Sequence, residues 1–375
     1  MVDPLIFYKA LTRSGIDFYA GVPDSLLKSF CRCVAEQTAN EKHIIAANEG
    51  AAIALASGNY LASGKPALVY MQNSGLGNAI NPLLSLADRS VYGIPMIIMI
   101  GWRGEPGVVD EPQHTAQGRA TVALLDSIGI KHHQLPKETN KAAAMLESLR
   151  DQTIEDEQPV VVLVSKNTFS DYDTNKLHNE LATFTREKVI ELILKHIKPK
   201  SSVVSSTGMI SRELYELRDA LDQHHDTDFL TIGAMGHCSQ IALGVALANQ
   251  NKPVLCLDGD GAAIMHMGSL AIMGQAPIAN LTHVILNNGS HDSVGGQPTC
   301  GLGIDFTAIA KACGYKSAYS VENESQLTCA LENISSTEGS ALLDVRIKSG
   351  HRANLGRPQT PPQEQKRNFM RHLLD

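Results

Sequence analysis

Asp260 stands between Gly259 and Gly261 where the apolar run VLCLD ends. Separated from Gly261 by 25 residues, the amide pair Asn287 and Asn288 closes a second apolar run, LTHVILNN. One carboxylate, one amide oxygen and the carbonyls of the adjoining turns make an all-oxygen ligand set of low charge. Mg²⁺ takes such a set when phosphate oxygens complete its octahedron. The N–H groups after Gly261, at the start of a helical segment, favour an anion at the same place. The chemistry these residues suit is a divalent cation holding a diphosphate.

Convergence demands that VLCLD and LTHVILNN be parallel strands ending at one sheet edge. The interval between them holds one helix and its loops, and a right-handed crossover of that length delivers the second strand to the same edge. Ligands bind at that carboxyl edge in open α/β sheets. The same alternation runs through the whole chain. FYAGV, HIIAA, ALVYM, PMIIMI and VVVLVS are strand candidates in the first half, and SSVVSS, FLTIG and ALLDVRI join the two above in the second. Helical stretches such as EGAAIALASGNYLASG and SQIALGVALANQ lie between them. Strands apolar on both faces and spaced by helices predict parallel sheets covered on each side. The polar stretch KNTFSDYDTNKLHNELATFTRE interrupts the pattern. The fold class expected is α/β, with two doubly wound parallel-sheet domains over 1–168 and 187–375 and a linker over 169–186.

A chain of 375 residues, 43% hydrophobic and 19% charged, has a globular profile. Its net charge of −7 argues against a nucleic-acid partner, so an anionic substrate must be met by a local cluster of cations. The most apolar run, YGIPMIIMIGW, is too short for a bilayer and contains Gly93 and Pro95, so no membrane partner is expected. Seven scattered cysteines without a CxxC pair, and no basic-then-apolar leader, predict reduced thiols in a cytoplasmic protein.

The pattern GDG-x25-NN, each half at a strand end, resembles the motif of the thiamine diphosphate enzymes. The resemblance implies Mg²⁺ ligated by Asp260, Asn288 and the backbone oxygen of Ser290, with Gly259, Gly261 and Ala262 against the cofactor. It also implies a buried carboxyl at the cofactor's N1′, then a helix of small residues and a GKP-like turn. HIIAANEGAAIALASGNYLASGKP answers that description with Glu49. Taken alone, Glu49 would read as a first-turn acid favoured by the helix dipole. Met235, in GAMGHCSQ, matches the apolar residue that props the cofactor into its bent shape; an ordinary core methionine is the alternative. Ser206 and Thr207, in SSTG, are cofactor contacts by the same resemblance, and NSGLG at 73–77 matches a glycine-rich turn lining the active site.

The resemblance spans nearly the whole chain, a pyrimidine-type domain followed by a diphosphate-type domain, without the middle domain of larger relatives. GVPDSLL, GWRGEPGVVDEPQHTAQG, NNGSHDSVGGQPT and HRANLGRPQTPPQ look like the small decarboxylases acting on 3-phosphonopyruvate and 3-sulfopyruvate, and LGRP leans toward the phosphonate. The activity implied is loss of CO₂ from a small anionic 2-oxo acid, giving phosphonoacetaldehyde from 3-phosphonopyruvate. Candidate proton donors are Asp24, His114 and His291. Asp24 reads equally as an N-cap for the helix that follows, and each histidine as merely solvated. The phosphonate requires cations, sought among Arg103, Arg352 and Arg357, for which surface solvation is the other reading. The family further implies a homo-oligomer, at least a dimer, with active sites shared between subunits.

A nicotinamide-dependent oxidoreductase would need GxGxxG directly after a strand, and NSGLGNAINP holds only part of it. A non-catalytic, thiamine-diphosphate-binding regulator is set against Glu49 standing together with the metal set. Sulfopyruvate, whose tail is also a tetrahedral anion, is the nearest rival substrate.

Overall fold

The computed structural model describes residues 1–172, 182–336 and 338–374. Two compact units divide the chain, Met1–Leu177 and His178–Asp375. The linker expected over 169–186 falls in part on residues 173–181, which lie outside the described residues.

The first unit is built on β1 (Tyr19–Gly21), β2 (His43–Ile45), β3 (Ala67–Gln72), β4 (Met96–Gly101), β5 (His132–Gln134) and β6 (Val160–Val164). They form one parallel sheet of order β2-β1-β3-β4-β6-β5. The pleat sends Leu68, Tyr70, Ile97 and Val162 into one core and Val69, Met71, Ile98 and Leu163 into another. Both faces are covered by helices, which is why these runs are apolar without alternation.

The second unit repeats the plan with β7 (Ser202–Ser205), β8 (Asp228–Leu230), β9 (Val254–Gly259) and β10 (Leu281–Asn287). A short hairpin, β11 (Ser290–His291) with β12 (Gln297–Pro298), precedes β13 (Ser317–Val321) and β14 (Ala341–Arg346). The sheet order is β13-β14-β10-β9-β7-β8, again parallel. Two α/β parallel-sheet domains are what the apolar runs predict, and the lack of a middle domain is what the resemblance implies. No helix among the described residues is long and apolar enough to cross a membrane.

Candidate active site

In the second unit, β10 lies directly beside β9 with Leu286 opposite Gly259. That register carries Asn287 and Asn288 past the end of β9, where Asp260 opens the short helix Asp260–Met265. Thr299 Oγ1 donates to Asp260 Oδ2, and the backbone N–H groups of Asn288 and Gly261 also stabilise the carboxylate. Asp260 is 2% exposed and forms no ion pair among the described residues. Burial pushes its carboxyl up to about 6, against the pull of Thr299 and the backbone amides. A buried carboxylate without a cation is costly, and a bound divalent ion relieves it.

Asn288 donates from Nδ2 to Asp292 Oδ2 (2.7 Å) and accepts at Oδ1 from the Ser290 N–H (3.0 Å). Asn287 turns into the sheet instead, donating to the Gly301 carbonyl (2.9 Å) and to Asp344 Oδ1 (3.0 Å). Asn287 Oδ1 and Ser290 Oγ are buried without hydrogen-bond partners. A Cβ at Gly301 would collide with the Asp260 carboxylate and stand 2.9 Å from Asn287 Oδ1, so only glycine leaves these oxygens clear. An acid lacking a cation, orphaned oxygens and a gap kept by glycine fit a small oxygen-seeking ion. The His291 ring packs on Gly261, and burial pulls its imidazole down to about 4, so it is uncharged at neutral pH. Ser206 is buried just past β7, its N–H on the Leu257 carbonyl (2.8 Å). Thr207 and Met235 are half-buried, so Met235 is not an ordinary core methionine.

In the first unit, Asn48 caps the helix Glu49–Ser63 by accepting from the Ala51 N–H (2.9 Å), which fixes Glu49 as its first residue. Ala52, Ile53, Ala56 and Ser57 form the buried stripe of that helix. Glu49 is 5% exposed, and Asn78 Nδ2 donates to its Oε2 (2.7 Å). Gly75 lies against the carboxyl, which would collide with any Cβ there. NSGLGN therefore acts as a unit. Asn73 clasps the Arg103 backbone, donating to its carbonyl (2.8 Å) and accepting from its N–H (3.2 Å), while Gly75 makes room for Glu49 and Asn78 holds it.

Asp24, in the loop after β1, is wholly buried. Its Oδ2 accepts from the Leu26 N–H (2.9 Å) and its Oδ1 has no partner. Leu27 sits at the N-cap of the helix Lys28–Gln37, so capping does not explain Asp24. Burial raises its carboxyl to about 6, opposed by the Leu26 N–H and by Arg103. Its proton is therefore transferable near neutral pH. Arg103 forks onto Asp110, with Nε on Oδ2 at 2.8 Å and Nη2 on Oδ1, and donates from Nη1 to Ser25 Oγ (2.7 Å). A cavity of about 200 Å³ is lined here by Ser25, Trp102, Arg103, Val108, Asp110 and Lys166. His114 is half-buried in the first turn of the helix Pro112–Ser127. In the second unit, Arg352 is bound to Glu187 (2.5 Å) and Glu216, and Arg357 is exposed.

Sequence reasoning passed over Lys166, Asn78, Thr299 and Asp292. The last three lie inside or next to stretches already singled out, but their roles depend on partners that spacing does not reveal.

The raised carboxyl of Asp24 has a consequence for stability. Between about pH 4 and 6 the folded chain holds this proton and the unfolded chain releases it, so stability present below that window is lost as pH rises through it. The gap between 3.8 and about 6 corresponds to up to about 3 kcal/mol. Asp24→Asn should therefore melt higher than wild type at pH 7.5 and show no such gain at pH 4. Equal melting temperatures at both pH values would contradict the raised carboxyl.

The family model for the thiamine pyrophosphate enzyme N-terminal TPP binding domain matches residues 5–126, and that for the C-terminal TPP binding domain matches 205–345. A phosphonopyruvate decarboxylase of Streptomyces viridochromogenes is 36% identical, aligned over 98% of this chain and 94% of its own. The chain belongs to the thiamine pyrophosphate enzyme family. Within it, a phosphonopyruvate decarboxylase of Streptomyces hygroscopicus is 37% identical over 98% of this chain and 93% of its own. A sulfopyruvate decarboxylase of Methanosarcina acetivorans is 27% identical over 95% and 94%. As a thiamine pyrophosphate enzyme the chain uses thiamine diphosphate (thiamine pyrophosphate), with Mg²⁺ the usual partner metal. Glu49, Asp24, Arg103 and His114 fall in the N-terminal match, and the Asp260 oxygen set falls in the C-terminal one.

Proposed function

We propose that this chain decarboxylates 3-phosphonopyruvate to phosphonoacetaldehyde and CO₂, a step of phosphonate biosynthesis, using thiamine diphosphate and Mg²⁺. One observation carries the reading. The buried Glu49 and the Asp260 oxygen set stand together in a chain 36% and 37% identical to two phosphonopyruvate decarboxylases, against 27% to a sulfopyruvate decarboxylase.

Bound thiamine diphosphate supplies the nucleophilic carbon and the electron sink that let a 2-oxo acid lose CO₂. Glu49, steadied by Asn78, shares a proton with the cofactor's N1′. Asp260, Asn288 and the Ser290 carbonyl hold Mg²⁺, and Gly259, Gly261 and Ala262 bring backbone close to the diphosphate. Ser206, Thr207 and Met235 line the remaining cofactor surface. Asp24, its carboxyl raised by burial to about 6 and so able to take up and release a proton near neutral pH, delivers the proton that replaces the lost carboxylate. His291, uncharged at that pH, and His114 orient the reacting group. Arg103 and Lys166 receive the phosphonate beside the cavity, with Asp110 aiming the guanidinium. We place the reaction in the cytoplasm, a reading supported by seven free cysteines. Turnover of 3-phosphonopyruvate, 3-sulfopyruvate and pyruvate side by side tests the substrate. The first should lead pyruvate by on the order of 10³ or more in kcat/KM, since the anion site stays unpaired with pyruvate. Faster turnover of sulfopyruvate would transfer the assignment to it.

Glu49 and Asp260 lie in separate units, and each provides one part of a cofactor site. We propose a homo-oligomer in which one chain's Glu49 serves another chain's Asp260. Mixing inactive Glu49→Gln and Asp260→Ala proteins under subunit exchange should then return about a quarter of wild-type activity, because half of randomly paired dimers are mixed and each carries one intact site. A mixture that stays inactive after proven exchange places the site within one chain.

A further inference from the structure

The loop bearing Asn288 is braced by groups that the proposed metal set does not include. Asp292 Oδ2 accepts from three donors: Asn288 Nδ2 at 2.7 Å, the Gly350 N–H at 2.9 Å and Arg186 Nη1 at 3.2 Å. An ionised carboxylate only accepts, so the end of the Asn288 amide facing it must be the NH₂. The amide oxygen is thereby turned the other way, where it meets the Ser290 N–H at 3.0 Å. A reversed amide would set oxygen against carboxylate and leave its NH₂ at the metal-binding end.

Arg186 in turn holds Asp292. It is 5% exposed at the start of the helix Arg186–His196 and forks onto Glu213, with Nε on Oε2 at 2.8 Å and Nη2 on Oε1 at 2.9 Å. Its Nη2 also donates to the Gly350 carbonyl (3.1 Å). Glu213 thus fixes the guanidinium, leaving Nη1 for Asp292. Arg186 and Gly350 both lie outside residues 205–345 matched to the family's C-terminal domain. Segments from the two ends of this unit therefore meet at one carboxylate oxygen, four residues from Asn288.

We propose that Asp292 is a positioning residue of the Mg²⁺ site: it fixes which end of the Asn288 amide is offered to the metal, and Arg186 holds Asp292 in place. The proposal rests on the Mg²⁺ site read above. Groups that orient metal ligands typically change metal affinity 10- to 100-fold when removed.

Equilibrium dialysis of thiamine diphosphate against the full-length protein, over a Mg²⁺ titration, tests it. Asp292→Asn keeps the shape and leaves Arg186 paired with Glu213, but lets the Asn288 amide turn. The Mg²⁺ concentration for half-maximal cofactor uptake should rise about 10- to 100-fold. Saturating Mg²⁺ should restore full stoichiometry, and the metal-free melting temperature should stay at the wild-type value. An unshifted half-saturation would overturn the proposal, as would uptake lost at every Mg²⁺ concentration with an unchanged melt. Should Asp292→Asn fail to fold, Arg186→Lys keeps the cation and loses the fork. A several-fold shift is then expected, and none would count against the proposal. Mg²⁺-independent uptake by the wild-type protein would overturn the metal-site reading itself, and this proposal with it.

Discussion

Glu49→Gln is expected to cut turnover by about 10²- to 10⁴-fold while thiamine diphosphate still binds. Glutamine matches glutamate in size, so it fits against Gly75, and its carbonyl can still accept from Asn78. What it lacks is the proton that the carboxyl shares with the cofactor's N1′. The readout that separates this from a packing defect is hydrogen–deuterium exchange at the cofactor's C2, which should slow in parallel with turnover. Wild-type exchange in the variant would mean that another group activates the cofactor.

Asp260→Ala should remove cofactor binding itself. Asp260 contributes the only carboxylate of the proposed metal set, and its loss should weaken Mg²⁺-dependent uptake of thiamine diphosphate at least about 100-fold, beyond what loss of an orienting group costs. The metal-free fold should not suffer, because the variant deletes a buried carboxylate that has no cation partner. Chelation of the wild-type protein should produce the same state, with Mg²⁺ restoring activity to wild type and not to the variant. Full activity of the chelated wild-type protein would refute the metal assignment.

The central strands were legible because both their faces are buried, which removes polar residues from the run. Of the edge strands, β2 and β8 were read within HIIAA and FLTIG, but β5 and β13 were not. β5 reads HHQ and β13 reads SAYSV, half-exposed segments whose composition resembles a loop, and β11 and β12 are two residues each. The GDG and NN pair was readable because strand register converts a fixed separation into proximity, as the pairing of Leu286 with Gly259 shows. Glu49 was singled out through the family resemblance and the small-residue helix behind it, while the Asn48 cap that fixes it as the first helical residue emerged only from the structure. Asp24 remained ambiguous in sequence, since an N-cap and a buried acid look alike until the cap is seen to be Leu27. The arginines were harder still. Sequence marks a guanidinium but not its partner, and Arg103 turns out to be forked by Asp110, Arg352 to be held by Glu187 and Glu216. Arg186 and Asp292 meet across 106 residues, a distance no local pattern encodes.

Phosphorus NMR of the full-length protein with 3-phosphonopyruvate, thiamine diphosphate and Mg²⁺ follows substrate and product in one spectrum. The substrate resonance should give way to that of phosphonoacetaldehyde in step with CO₂ release, and neither change should occur when the cofactor or the metal is left out. An unconsumed substrate in the complete mixture, or equal consumption without thiamine diphosphate, would contradict the account.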